Sequence, residues 1–200
     1  MSVILAIDCC LKLTGAALSV DGEIIAREQA DLGRRQSAEL PLMAERVMHG
    51  YSWDALDYVA LTNGPGYFTG LRVGAAYACG VAYASHAKII PLSSLEILAH
   101  SSRLSGQVLA VVYAGHGYVY AQCKDKLEAG EYPVNAVRQW QKNNPDAKTV
   151  SDDPSRADIE ALSVKPRIET LCELACRRLG AALSPLELKI AYYRAPQGVK

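Results

Sequence analysis

The chain has 200 residues, enough for one large domain or two small ones that share a surface. Half of the residues are hydrophobic and about a fifth are charged, and 21 Lys plus Arg against 21 Asp plus Glu leave no net charge. That balance supports a packed core and excludes a broad cationic footprint for nucleic acid, so a partner supplies most phosphate contacts to any nucleic acid involved. The opening Met1–Asp8 has no basic n-region, and its apolar run is too short for a signal or membrane helix. Six cysteines form no C-x-x-C pair, and Cys9 and Cys10 are adjacent. They read as reduced thiols in a cytosolic core, not as a disulfide framework or a zinc ribbon.

Val3–Ile7 is a continuous apolar strand. Thr14–Val20 and Glu23–Ala30 flank Asp21-Gly22, a dipeptide suited to the positive φ values of a type I′ hairpin turn. Ser37–His49 places Leu40, Met43, Ala44 and Val47 on one helical face, with Glu39 in its first turn where the helix dipole favours an acid. Tyr58–Thr62 returns to strand, Asn63-Gly64-Pro65-Gly66 breaks it, and a long helix runs to about Ser85. Lys88–Ile90 is a short strand and Leu95–Arg103 a helix.

A second, weaker copy begins at Gln107. Val108–Ala114 and Tyr118–Cys123 read as strands around the turn Gly115-His116-Gly117. Val134–Lys142 reads as a helix, Lys148–Val150 as a strand, Asp152-Asp153-Pro154 as a loop, Thr170–Ala182 as a helix and Leu188–Arg194 as a last strand. Three strands followed by alternating helices and strands is the order of the RNase H-like half-domain shared by actin, sugar kinases and Hsp70 chaperones. The expected fold is therefore α/β, actin-like, with an N-terminal lobe over 1–104 and a reduced C-terminal lobe over 105–200.

The most informative stretch is Gly64-Pro65-Gly66-Tyr67-Phe68-Thr69-Gly70-Leu71-Arg72-Val73-Gly74. A glycine-rich turn between strand and helix presents backbone amides to an anion. A tight turn with no ligand explains Gly64-Pro65-Gly66 equally well. Asp8, Gly64 and Gly66 are the candidate nucleotide-binding residues. Gly66, Gly70, Gly74, Ala78 and Ala82 recur every fourth residue and line one stripe. Each glycine inside a helix costs about 1 kcal/mol against alanine, so Gly70, Gly74 and Gly80 imply a close backbone neighbour, within the domain or on another chain.

The run Gly64–Gly74 resembles the GPGSFTGLRIG signature of the TsaB (YeaZ) family, with Tyr67 for serine and Val73 for isoleucine. Ile4–Asp8, Pro91–Glu96, Val119-Tyr120-Ala121 and Tyr192-Tyr193-Arg194 resemble further family landmarks. The resemblance implies a cytoplasmic, non-catalytic subunit for synthesis of threonylcarbamoyladenosine on tRNA. In that family TsaB pairs with TsaD, which transfers the threonylcarbamoyl group to adenosine 37, and the ATPase TsaE joins them. Contact with tRNA is then indirect, and without partners the family forms a homodimer by the same face. The implied interface residues are Leu40, Met43, Ala44, Val47, Gly70, Val73, Gly74 and Tyr77. Gly74→Trp or Val47→Glu is then expected to break the complex and leave the monomer folded.

No cofactor or metal is expected. The H-x-x-x-H pair that holds iron or zinc in metal-dependent members of this group has no counterpart among His49, His86, His100 and His116, and no catalytic residue is assigned. Cys9-Cys10-Leu11 stands where the family usually has Thr-Ser/Ala-Thr, and Ala114-Gly115-His116 where it often has Asp-Ala-Arg. Gln36 replaces a histidine. Two other readings remain: a stand-alone phosphotransferase or hydrolase built on Asp8, and a homodimeric regulatory module unrelated to tRNA.

Overall fold

A computed structural model describes residues 2–193. The chain runs β1 (Val3–Asp8), β2 (Leu13–Val20), β3 (Glu23–Asp31), α1 (Gln36–Val47), β4 (Tyr58–Gly64), α2 (Phe68–Ala84), β5 (Lys88–Ser93) and α3 (Ser94–Ser101). It continues β6 (Val108–Gly115), β7 (Tyr118–Cys123), β8 (Leu127–Pro133), α4 (Val134–Asn143), β9 (Lys148–Ser151), α5 (Pro154–Ala157), β10 (Leu162–Ser163) and α6 (Ile168–Cys176).

The two sheets repeat one plan. The first has the order β3-β2-β1-β4-β5, and the second, taken from its other edge, β8-β7-β6-β9-β10. In each, three antiparallel strands are followed by two parallel ones on the far side of the first. This is the RNase H-like, actin-like α/β topology, present twice. The second copy is complete in strand order and reduced in length: β9 has 4 residues, β10 has 2, and α5 has 4 where α2 has 17.

The compact units do not follow a cut at 104/105. One comprises the chain up to Ser94 together with Arg167–Ile190; the other runs from Leu95 to Pro166 and takes up the chain again at Ala191. The physical reason lies in α6. All six residues of β1 are buried, which requires cover on both faces of the first sheet. Val3, Leu5 and Ile7 pack in one cluster with Leu40, Met43, Ala44 and Val47 of α1 and Ala75, Ala78 and Ala82 of α2. On the other face α6 lies on β1 and β2, close enough that a Cβ at Gly15 would stand 3.3 Å from the Ile168 Cβ. Arg27 of β3 reaches Glu169 at 2.5 Å from the same side.

Several local expectations are revised. The helix expected over Thr170–Ala182 is shorter and earlier, Ile168–Cys176, followed by a 3₁₀ turn at Leu179–Ala181. Residues 188–193 make no strand, and Arg194 of that expected strand lies outside the described residues. The Asp152-Asp153-Pro154 loop instead opens α5: the Asp153 carboxylate accepts the Arg156 amide at 3.1 Å, with proline in the first turn where its missing N–H costs nothing. The Asp21-Gly22 hairpin has the expected positive φ values, 49° and 85°.

A fragment of residues 1–104 lacks α6 and exposes one face of the first sheet. It is expected to show no cooperative thermal transition by circular dichroism, and a sharp transition would contradict the assignment of α6 to this unit.

Candidate functional site

The two loops that hold a nucleotide in a phosphate-transfer reading are the end of β1 and the turn before α2. In this chain they are pressed together. Asp8 is buried, and its carboxylate accepts the Cys10 amide at 2.9 Å, folding the chain back at the strand end. The Cys10 carbonyl accepts the Tyr67 amide at 2.8 Å. The Cys10 thiol donates to the Pro65 carbonyl at 3.1 Å, and the Ser94 hydroxyl donates to the same oxygen. The Gly64–Pro65 peptide is cis.

The glycines explain why the loops approach so closely. A Cβ at Gly66 would lie 2.3 Å from the Cys10 carbonyl oxygen, and one at Gly70 only 1.9 Å from that of Cys9. Gly74 continues the contact, its Cβ position 3.4 Å from the Cys9 Cβ. The stripe of small residues therefore packs on the chain's own first loop. Here Asp8, Gly64 and Gly66 are brought together, with protein groups filling the space between them. Burial, then the charge of Asp8, pushes the Cys9 thiol up to about 12, the direction opposite to that of an activated cysteine. Burial does the same to Cys172 on α6, also to about 12.

The expected interface residues divide. Leu40, Met43, Ala44 and Val47 are at most 3% exposed and belong to the core beneath α1. Gly70 and Gly74 are buried as described. Helical periodicity picks out an apolar face, but in an α/β sandwich that face turns to the sheet. Gly74→Trp and Val47→Glu would therefore disrupt the monomer itself, contrary to expectation. Val73 and Tyr77 alone in that set are partly open to solvent. Burial, with Glu45 near, pushes the Tyr77 hydroxyl above its ordinary value.

The outer face of α2 is the feature that sequence reasoning missed. Ala76, Gly80, Tyr83 and Ala84 are exposed there, Tyr83 to 71%, and Arg72 is the one charged residue in the helix. A groove of about 450 Å³ runs along this face, walled by Trp53, Ala76, Tyr77, Gly80, Val81 and Ala84. A Cβ at Gly80 would meet nothing within 4 Å. The signal was present, because ten residues from Gly70 carry the helix about 280° round, off the buried stripe.

The second unit holds an unusual acid. Both Asp152 carboxylate oxygens are buried without a hydrogen-bond partner among the described residues. Burial above all, and the neighbouring Asp153, lift this carboxyl to about 6, against the pull of the Asp152 and Asp153 amides, too poorly aligned to count as hydrogen bonds, and of Arg156. Among the described residues no group of three or more His, Cys, Asp or Glu is placed to hold a metal ion, and no helix is long and apolar enough to cross a membrane.

Taken together, the twofold sheet plan and the close-packed first loop define an actin-like α/β protein with an apolar outer face on α2. The family model described as TsaD, tRNA N6-adenosine threonylcarbamoyltransferase, matches residues 30–139, more than half of the chain. A Haemophilus influenzae protein named tRNA threonylcarbamoyladenosine biosynthesis protein TsaB is 27% identical over 162 residues, 70% of this chain and 69% of that protein. The Escherichia coli protein of the same name is 32% identical over 121 residues, 58% of this chain and 52% of that protein. A Pseudomonas aeruginosa crystal structure, described as an uncharacterized protein with similarity to peptidase YEAZ, superposes with a TM-score of 0.82 at 24% identity. It covers 97% of this chain and 100% of its own, and that likeness is one of fold. The chain belongs to the tRNA N6-adenosine threonylcarbamoyltransferase family, on its TsaB (YeaZ) side.

Two outcomes follow from the glycine geometry. Gly70→Ala should lower stability in urea by about 2–4 kcal/mol, because a carbonyl oxygen must move. Gly80→Ala should raise it by about 0.5–1 kcal/mol, the ordinary helix propensity gain. Equal effects would refute the assignment of inner and outer faces.

Asp152 sets a pH dependence. Its folded value near 6 lies above the unfolded value of about 3.9, so ionisation opposes folding: this group's stability is full below about pH 4 and is lost as pH rises through 6. Asp152→Asn should therefore gain on the natural chain between pH 4 and 8, by at most about 3 kcal/mol in urea. A pH-independent difference would contradict this.

Proposed function

We propose that this chain is a non-catalytic, cytoplasmic subunit in the synthesis of threonylcarbamoyladenosine on tRNA, acting by docking to a TsaD-type transferase. The observation that carries the reading is the outer face of α2. A mid-helix glycine with nothing near its Cβ position has no close neighbour among the described residues, and the groove around it is mostly apolar, with Asp54 and Ser85 at its edge. A partner helix laid along Ala76, Gly80 and Ala84 would gain close backbone approach and bury Tyr77, Tyr83 and Trp53. Val73 and Tyr77 keep their place in this interface, whereas Leu40, Met43, Ala44, Val47, Gly70 and Gly74 support it from beneath.

The sealed first loop supports the absence of a catalytic role. A phosphoryl group needs open amides and a carboxylate turned toward it. In this chain the Cys10 amide is bonded to Asp8 and the Tyr67 amide to Cys10. The transferase then carries the chemistry and the phosphate contacts to tRNA, consistent with the neutral charge of this chain. TsaE joins the assembly, and in the absence of partners the same α2 face closes on a second copy.

Docking is tested by sedimentation velocity with purified TsaD-type transferase. Gly80→Trp and Tyr77→Glu should each weaken the heterodimer by about tenfold or more, with thermal unfolding of the isolated chain little changed. Undiminished association of both variants would sink the reading.

A further inference from the structure

A second groove, about 560 Å³ in volume, runs along the other flank of α2 in the same unit. One wall is the end of α2 and the start of β5, with Tyr83, His86 and Lys88; the other is the segment Ala182–Pro185 with Glu187. Tyr83 stands about 60° round the helix from Gly80, so it divides this groove from the one walled by Trp53.

The far wall is tied down on both sides. Leu183 and Ile89 exchange two backbone hydrogen bonds, each 2.9 Å, which join the segment to β5 at the edge of the first sheet. The Cys79 thiol of α2 donates to the Pro185 carbonyl at 3.6 Å, and the Asn63 side-chain amide of β4 donates to the Lys189 carbonyl at 3.1 Å. Between these ties lies the 3₁₀ turn Pro185–Glu187, closed by a capping box. The Ser184 hydroxyl accepts the Leu186 amide at 3.4 Å, and the Glu187 carboxylate accepts the Ser184 amide at 2.9 Å.

This braced turn presents Leu186 at 85% exposure, and Tyr83 on the opposite wall is 71% exposed. A lone exposed leucine is ordinary. One held on a capped and tethered turn beside a groove loses little freedom when it is covered. The groove also carries unpaired positive charge. The Lys88 ammonium and the His86 imidazole have no ion-pair or hydrogen-bond partner among the described residues. Glu187 is the one acid on the walls, and its carboxylate is engaged by the Ser184 amide.

We infer that the partner docked on α2 extends across this groove, laying an apolar side chain against Leu186 and Tyr83 and setting a carboxylate on Lys88. The inference rests on the docking to a TsaD-type transferase proposed above and adds the chemistry of a second contact, an apolar residue beside an acid. Tyr83 borders both grooves, so a partner that covers Gly80 and Ala84 reaches this one without a break. An exposed lysine at the rim of such a contact favours an acidic partner group and disfavours a basic one.

The test is sedimentation velocity of the full chain with purified TsaD-type transferase. Leu186→Asp and Lys88→Glu should each weaken the heterodimer about tenfold, whereas Lys88→Arg should retain it. The loss from Lys88→Glu should shrink at about 1 M salt, which screens a charge contact and leaves a steric defect in place. Lys142→Glu, in the second unit, should change nothing. Thermal unfolding establishes that each variant is folded; if one of the two weakening variants is not, the other decides. Undiminished binding by a folded Leu186→Asp or Lys88→Glu variant, while Gly80→Trp and Tyr77→Glu still weaken it, would overturn this contact and leave the α2 docking intact. Undiminished binding by all four would overturn both. Equal weakening by Lys142→Glu would overturn the assignment of the acidic group to Lys88.

Discussion

The first unit depends on one close contact, the seating of the first turns of α2 on the carbonyl groups of Cys9 and Cys10. No side chain fits between them, so Gly66 and Gly70 are required by geometry. The contact fixes which face of α2 turns inward, carries Ala75, Ala78 and Ala82 into the core, and thereby sets Ala76, Gly80 and Ala84 outward. It also brings backbone and thiol groups into the space between Asp8 and the Gly64–Gly66 turn. The same constraint that sets the outward face of α2 thus crowds the turn in front of it.

The duplicated sheet plan shows how one topology is used in two ways. In the first unit the helix after the fourth strand is long, apolar outside and suited to another helix. In the second its counterpart is α5, only 4 residues long. The exchange of third helices, α3 counted with the second unit and α6 with the first, follows from the need to cover both faces of β1.

Much of the fold was legible because apolar runs and turn residues agreed. Val3–Ile7 has no polar interruption, and Asp21-Gly22 admits few conformations other than a hairpin turn. β8 was missed because Leu127–Pro133 is an edge strand with no clear alternation, and Gly130 within it reads as a loop. The end of the long C-terminal helix was misplaced because apolar spacing persists through Leu179 while the backbone has already turned. For the site, the glycine repeat correctly announced a close neighbour but not which chain supplied it. Periodicity likewise identified Leu40, Met43, Ala44 and Val47 as a contact face without telling sheet from partner. Both questions turn on three-dimensional proximity of the Cys9-Cys10 loop, which no local pattern encodes.

The central claim is that this chain enables modification of tRNA by docking and contributes no reacting group. It is tested most directly by mass spectrometry of threonylcarbamoyladenosine formed by purified TsaD-type transferase, TsaE, the adenylate-forming enzyme, ATP, threonine, bicarbonate and tRNA. Product should require this chain, Asp8→Asn should support it undiminished, and Gly80→Trp should abolish it. Full product without the chain, or loss of product with a folded Asp8→Asn variant that still docks, would contradict the account.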